Sequence, residues 1–160
     1  MTTHHGDMNC AVARSIGGGR MPPGRKGKAM MATDVIELSQ KFYFEAAHSL
    51  EREVDAEPSR RIHGHTYHAE VALAGTIAPD KSMLIDLAFF RREIERVRET
   101  LDHRFLDEVA GIGPATLENL CAYVADQLKD ALPQLSHVAI ERPASGDRCV
   151  LRRRAPTSAS

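Results

Sequence analysis

The chain has 160 residues, of which 42% are hydrophobic and 27% are charged, and its formal net charge is −1. These values predict one globular domain and give no reason to expect a nucleic-acid or membrane-surface partner. No stretch approaches the roughly 18 apolar residues of a transmembrane helix, and the N-terminus lacks the apolar core of a signal peptide, so we expect a cytoplasmic protein. The three widely spaced cysteines match neither a disulfide framework nor a Cys-x-x-Cys zinc ribbon.

The first part of the sequence differs from the rest. Residues 1–33 contain a triple glycine, a Pro-Pro-Gly run and a basic patch but no apolar period, which predicts a disordered extension. Met30 and Met31 stand just before the first strand pattern, as expected if the start had been assigned too far upstream. Residues 34–153 are predicted to form the domain, and residues 154–160 a polar tail.

Four segments of the domain alternate between apolar and polar residues or are rich in β-branched residues, and we predict that they are strands. They are Val35–His48, His63–Ala74, His137–Glu141 and Arg148–Arg152. Two helices are predicted between the second and third strands, with Asp86 and Thr116 as their N-caps, because apolar residues follow each cap at spacings of three and four. Leu50–Arg61 is predicted to be a loop, and Pro133 to end the second helix.

The order strand, strand, helix, helix, strand, strand favours an α+β domain. We expect a four-stranded antiparallel sheet with two helices on one face. Such a sheet leaves two edges and an open face, and assembly into a larger barrel would remove the edges.

Histidine carries the clearest functional pattern. In His63-Gly64-His65 the two imidazoles project from the same side of a strand, about 7 Å apart, because side chains alternate with period two. His48 ends the preceding predicted strand on its apolar side. If the two strands pair as a hairpin, the three side chains can meet at one ion.

A His-x-His pair on a strand is by itself more often not a metal site, but a third His at the end of the adjoining strand favours a metal centre. Three neutral nitrogen ligands leave a fourth position for water or substrate, which is the arrangement of catalytic zinc. Iron or copper could use the same ligands. His68 has the opposite parity and is left out of the ligand set.

Two further positions are candidates for acid–base chemistry. Asp102-His103 directly follows the first predicted long helix, and a carboxylate next to an imidazole can orient it as a general acid or base. The alternative is a helix C-terminal His that interacts with the helix dipole. Glu141 ends a short apolar strand, where it could face a ligand or simply be the first solvated residue.

Six segments, in this order and spacing, resemble the 6-pyruvoyl-tetrahydropterin synthase / 6-carboxy-tetrahydropterin synthase family. They are Phe44–His48, Ile62–Tyr67, Leu84–Leu87, Leu101–Leu106, Thr116–Asn119 and Glu141. The resemblance implies a tunnelling fold (T-fold), in which trimeric barrels stack as hexamers and the active sites lie between subunits.

The resemblance also implies roles for individual residues. His48, His63 and His65 would bind zinc. Asp102 and His103 would form the acid–base relay, and Glu141 would anchor a pterin ring by accepting hydrogen bonds from its ring NH and amino group.

The reaction implied by the resemblance starts from 7,8-dihydroneopterin triphosphate. In the queuosine branch it yields 6-carboxy-5,6,7,8-tetrahydropterin, with loss of acetaldehyde and triphosphate. The chain departs from the family at Ser59, which stands where a catalytic cysteine is usual, four residues before His63. An unactivated serine cannot replace a thiolate base near neutral pH, although Glu53 or Glu57 of the same loop could.

Two other functions therefore stay open. One is a cysteine-less enzyme that acts on a related pterin, such as a retro-aldol cleavage to 6-hydroxymethyl-dihydropterin for folate. The other is a non-catalytic pterin-binding protein.

Overall fold

The computed structural model describes residues 34–51, 53–54, 56–77 and 80–153. The predictions for residues 1–33 and 154–160 fall outside these ranges. The described strands and helices are β1 (Ile36–His48), α1 (Ala56–Arg60), β2 (His63–Gly75), α2 (Leu87–Leu101), β3 (Arg104–Phe105), a 3-10 turn (Leu106–Glu108), α3 (Leu117–Leu128), β4 (Leu135–Arg142) and β5 (Asp147–Arg152).

A long antiparallel hairpin organises the sheet. β1 and β2 pair over their whole length, from Ile36 opposite Gly75 to His48 opposite His63. β2 then pairs with β4, and β4 with β5, both antiparallel, so the strand order is β3-β1-β2-β4-β5. The four predicted strands and their antiparallel pairing are confirmed.

The described sheet has five strands, not the predicted four, and it is mixed. The two-residue strand β3 runs parallel to the end of β1, with Ala46 opposite Arg104. The chain reaches this position through His103, whose φ is 56° and whose N–H donates to the carbonyl of Glu45 at 2.7 Å. A two-residue strand has no periodicity, so the sequence pattern could not reveal it.

The helices begin at the predicted caps. Asp86 Oδ1 accepts hydrogen bonds from the N–H groups of Ala88 and Phe89 at 2.7 and 3.2 Å, and Thr116 Oγ1 accepts one from Asn119 at 3.3 Å. α3 ends at Leu128, earlier than the predicted stop at Pro133, because residues 129–131 form a turn. The predicted loop before β2 contains the additional short helix α1.

The core lies between one face of the sheet and the two long helices. On the strands it is formed by residues of one parity, including Phe44 and Tyr67, whose rings stack at 4.9 Å. Phe90 and Leu120 contribute the buried helical side. Among the described residues, no helix is long and apolar enough to cross a membrane.

Candidate metal centre

Three imidazoles meet at the end of the β1–β2 hairpin where the two strands are connected. His48 and His63 are directly opposite in the pairing, and His65 follows two residues later on the same face. The ring centroids of His48 lie 4.6 Å from His63 and 5.1 Å from His65, and those of His63 and His65 are 4.9 Å apart. One ligand nitrogen from each ring lies within 4.8 Å of the others. The structure thus brings together the three residues that the sequence predicted as a ligand set.

Backbone carbonyls orient two of these rings. His48 Nδ1 donates to the carbonyl of Ala115 at 3.0 Å, and His63 Nδ1 donates to that of Arg61 at 2.8 Å. Since a carbonyl only accepts, the proton of each neutral ring is on Nδ1 and the lone pair is on Nε2. Hydrogen bonds of this kind fix the tautomer of metal-binding histidines.

The burial and the protonation of His48 suit a metal ligand. His48 is 1% exposed, and its Nε2 has no hydrogen-bond partner among the described residues. Burial, with a smaller contribution from the neighbouring His63, lowers the pKa of His48 and favours the neutral ring that a metal requires. A buried imidazole nitrogen without a partner costs free energy unless a ligand takes it up.

A phenol and a guanidinium flank the three rings. The ring of Tyr67 lies 5.7 Å from that of His65, and burial raises the pKa of Tyr67 to about 12, so its hydroxyl stays a donor. Arg142 Nη1 donates to His65 Nε2 at 3.2 Å, and Nη2 donates to Asp147 at 2.6 Å. Arg142 was not predicted from the sequence, because consecutive buried residues precede it on β4 and their pattern does not show which side of the strand faces the histidines.

Two cavities lie near the hairpin end that carries the cluster. One, of about 380 Å³, is lined by residues that include Tyr67 and Arg142, which contact His65, and Glu51, Glu118 and Arg148. The other, of about 550 Å³, is lined by His65 and His103 but mainly by residues of the opposite face of the sheet, such as Glu45 and Thr66.

Asp102 and His103 lie together at the end of α2. Asp102 Oδ2 is 3.8 Å from His103 Nε2 and 3.1 Å from the guanidinium of Arg98. The backbone N–H of Glu45, which donates to Asp102 at 3.0 Å, is the main cause that lowers the pKa of this carboxyl. The His103 side chain is 77% exposed and borders the cavity of about 550 Å³ that Glu45 and Thr66 line from the sheet face opposite to the three histidines. Among the described residues, no contact within one chain joins the predicted relay to the metal cluster.

Glu141 lies elsewhere on the sheet. It pairs with His68 on β2 and with Arg148 on β5, and its carboxylate is 3.7 Å from Arg148. Because side chains alternate along a strand, Glu141 projects from the opposite face to its neighbour Arg142. Within one chain, the structure does not bring Glu141 together with the three histidines.

The segment before β2 contains the candidates for the missing thiol. Ser59 is buried, and its carbonyl accepts a hydrogen bond from Leu50 at 2.8 Å. Glu57 is 77% exposed and lies 3.9 Å from Arg61, and Glu53 is exposed. Glu51, which the sequence analysis did not select, lines the 380 Å³ cavity with Tyr67.

The described sheet carries two long helices on one face, and three imidazoles meet at the connected end of its main hairpin. This is an α+β domain that can hold a divalent ion. The model of the 6-pyruvoyl tetrahydropterin synthase family matches residues 37–153. The chain belongs to the 6-pyruvoyl tetrahydropterin synthase family.

Individual relatives agree with this assignment. The structure of Caenorhabditis elegans 6-pyruvoyl tetrahydropterin synthase is similar, with a TM-score of 0.66 and 28% identity, over 78% of this chain and 100% of that chain. A Synechocystis 6-carboxy-5,6,7,8-tetrahydropterin synthase is 29% identical over 64% of this chain and 83% of its own length. The dihydroneopterin monophosphate aldolase of Pyrococcus furiosus is 30% identical over 56% of this chain and 72% of its own. The predicted family and α+β T-fold are confirmed.

Proposed function

We propose that this protein is a zinc-dependent carbon–carbon lyase of queuosine and 7-deazaguanine biosynthesis. It converts 7,8-dihydroneopterin triphosphate and water to 6-carboxy-5,6,7,8-tetrahydropterin, acetaldehyde and triphosphate. The observation that carries the proposal is the convergence of three oriented imidazoles, one with an unpartnered buried nitrogen. Family membership and the Synechocystis relative support the pterin substrate and the product.

His48, His63 and His65 would hold the zinc. The bound ion supplies Lewis acidity, which polarises substrate oxygens and makes an adjacent C–H bond more acidic without changing the redox state of the ion. Tyr67 is protonated at neutral pH, and its buried hydroxyl has no hydrogen-bond partner among the described residues. It is assigned as a donor to substrate bound in the cavity that it lines.

Asp102 and His103 are assigned as the acid–base pair at a cluster that belongs to another chain, because the cavity they border lies mainly on the sheet face opposite to the histidines. The carboxylate stays ionised, because its pKa is lowered, and it faces Nε2 of the imidazole. His103 therefore exchanges a proton with the substrate at Nδ1, the ring nitrogen that points away from Asp102.

Glu51 is assigned as the base in place of the missing thiol. A buried serine hydroxyl cannot ionise near neutral pH, which removes Ser59 from this role. Both Glu51 and Glu57 are exposed, but Glu51 lines the cavity next to Tyr67 and Arg142, whereas Glu57 does not line it and lies 3.9 Å from Arg61.

Glu141 is assigned as the pterin anchor, in an assembly of several subunits. Since it projects from the face opposite to Arg142, it reaches a metal cluster only if that cluster belongs to another chain. This arrangement agrees with a trimeric or hexameric barrel whose active sites lie between subunits.

Product analysis tests the proposal. Purified zinc-loaded protein is incubated with 7,8-dihydroneopterin triphosphate, and the products are identified by mass spectrometry. We expect 6-carboxy-5,6,7,8-tetrahydropterin together with acetaldehyde. The absence of any new pterin under conditions in which the substrate binds would leave a non-catalytic pterin-binding protein.

A second candidate is an aldolase that releases 6-hydroxymethyl-dihydropterin. The Pyrococcus relative is named as an aldolase acting on dihydroneopterin monophosphate. In this chain Ser59 stands at the position where the resemblance leads us to expect the catalytic cysteine. The same mass spectrum separates the two activities, because the aldolase product keeps one side-chain carbon as a hydroxymethyl group.

A further inference from the structure

Arg142 is a largely buried cation in direct contact with the metal cluster. Its side chain is 13% exposed. Nη1 donates to His65 Nε2 at 3.2 Å, Nη2 donates to Asp147 at 2.6 Å, and the buried Nε has no partner among the described residues. Because a buried unpaired donor is costly, this guanidinium is incompletely satisfied by the protein itself.

The hairpin between β4 and β5 holds the guanidinium in place. Asp147 stands opposite Arg142 in the pairing, and Ser145 Oγ donates to the same carboxylate at 2.7 Å. Arg142 therefore lines the 380 Å³ cavity in a fixed position, beside Tyr67.

Metal binding must break the contact between Arg142 and His65. A neutral imidazole has one nitrogen with a lone pair. If the metal takes Nε2, that atom no longer accepts from Arg142. If the metal takes Nδ1, then Nε2 carries the proton and again cannot accept. In either case Nη1 loses this acceptor and joins Nε as a donor without a partner.

The result is a guanidinium next to a divalent ion held by neutral ligands. Two neighbouring cations in a partly buried site repel each other. The Asp147 carboxylate pairs with Nη2 of this guanidinium, so an additional anion would bind at Nη1 and Nε. Guanidinium groups bind phosphate oxygens well, since the interaction combines charge with directed hydrogen bonds.

We propose that Arg142 forms a phosphate subsite beside the metal centre and makes the site selective for phosphorylated pterins. The choice of pterin rests on the proposed function, whereas the subsite itself rests on the contacts of Arg142. The phosphate is that of the substrate side chain, and free phosphate has the same chemistry.

Calorimetry on the full-length, zinc-loaded protein tests the subsite. The probes are inorganic phosphate and unphosphorylated 7,8-dihydroneopterin. We expect Arg142→Met to weaken phosphate binding at least tenfold and to leave 7,8-dihydroneopterin binding unchanged. Arg152→Met, an exposed arginine on the same hairpin, is the matched control and should bind both probes as the wild type does. Equal phosphate affinity in Arg142→Met and wild type would overturn the proposal.

Steady-state kinetics distinguish the two sources of phosphate. Arg142→Met should raise the KM for 7,8-dihydroneopterin triphosphate by a similar factor, and Arg142→Lys should recover part of the loss because it keeps the charge. A loss of free-phosphate binding with an unchanged KM would overturn the selectivity for the substrate. If Arg142→Met loses zinc, Arg142→Gln, which can still donate to Asp147, takes its place in both measurements.

These results can be separated from those on the proposed function. Arg142-dependent phosphate binding in a protein that forms no 6-carboxy-5,6,7,8-tetrahydropterin would overturn the function and support the subsite. Product formation together with phosphate binding that does not depend on Arg142 would support the function and overturn the subsite.

Discussion

Asp102 and Glu45 are linked through the backbone of β1. The Asp102 carboxylate accepts a hydrogen bond from the N–H of Glu45 at 3.0 Å, and the residue after Asp102 donates to the Glu45 carbonyl at 2.7 Å. The backbone N–H and the carbonyl of Glu45 are thus both hydrogen-bonded by the segment that follows α2. The acid–base pair is therefore fixed to the strand that ends in His48.

This link predicts a pH-dependent stability. Asp102→Asn should lower the free energy of unfolding by about 1–2 kcal/mol near neutral pH, because it weakens a charge-assisted hydrogen bond and the pair with Arg98. The pKa of Asp102 is lowered below 3.8 in the folded chain, so its stabilising effect is present above that pH and is lost as the pH falls through the folded-state pKa.

Urea unfolding of wild type and Asp102→Asn at several pH values checks this prediction. The difference between the two proteins should be largest near neutral pH and should shrink in acid. A difference that stays constant down to strongly acidic pH would show that the carboxylate charge is not involved.

The ligand set predicts the outcome of single His substitutions. His63→Ala should lose stoichiometric zinc, because two imidazoles do not hold the ion as three do. His68→Ala is the matched control, since His68 lies on the same strand but is exposed on the other face. Elemental analysis after dialysis gives the zinc content. Full zinc retention in His63→Ala, or its loss in His68→Ala, would contradict the assigned cluster.

The assignment of the base predicts different effects for two glutamates. Glu51→Gln should lower kcat by roughly 100-fold or more, as is typical when a general base is removed. Glu57→Gln should leave kcat near the wild-type value, because Glu57 does not line the 380 Å³ cavity and lies 3.9 Å from Arg61. Both variants should keep zinc and the melting temperature of the wild type. Comparable kcat values in the two variants would remove Glu51 from the role of base.

The opposite orientation of Glu141 and the histidines predicts complementation between subunits. Glu141→Ala should lose substrate affinity but keep zinc, and His63→Ala should be inactive for lack of zinc. If each active site takes Glu141 from one chain and the cluster from another, an equal mixture of the two variants, unfolded and refolded together, recovers about a quarter of the wild-type activity. Each variant refolded alone is the control. An inactive mixture that nevertheless forms mixed oligomers would place both elements in the same chain.

Much of the fold could be predicted because its signals are local. Alternation along β1 and β2 gave the hairpin, and the side chains of Asp86 and Thr116 gave the helix starts. His48 and His63 were expected to meet because a hairpin brings the end of one strand to the start of the next. The short strand β3 and the helix α1 were missed, since so few residues carry no detectable period.

The rest of the site depends on the pairing register, which cannot be read from single strands. Arg142 and Glu141 are adjacent in sequence, and nothing in a short apolar strand says which of them faces the histidines. Only the pairing of His68 with Glu141 across β2 and β4 decides this. Glu51 was missed for a related reason, because its place beside Tyr67 is set by tertiary packing of an irregular segment.

The register of the β1–β2 hairpin has an evolutionary consequence. His48 and His63 lie at the last pair of a ladder that runs back to Ile36 and Gly75. Deleting a single residue inside either strand would turn every side chain beyond it to the other face and separate the imidazoles. The segment that connects the two strands has no pairing register, so residues can be gained or lost within it as long as Glu51 and the Arg61 carbonyl keep their places. Homologous proteins should therefore vary in length in this connection and keep the number of residues within each strand constant.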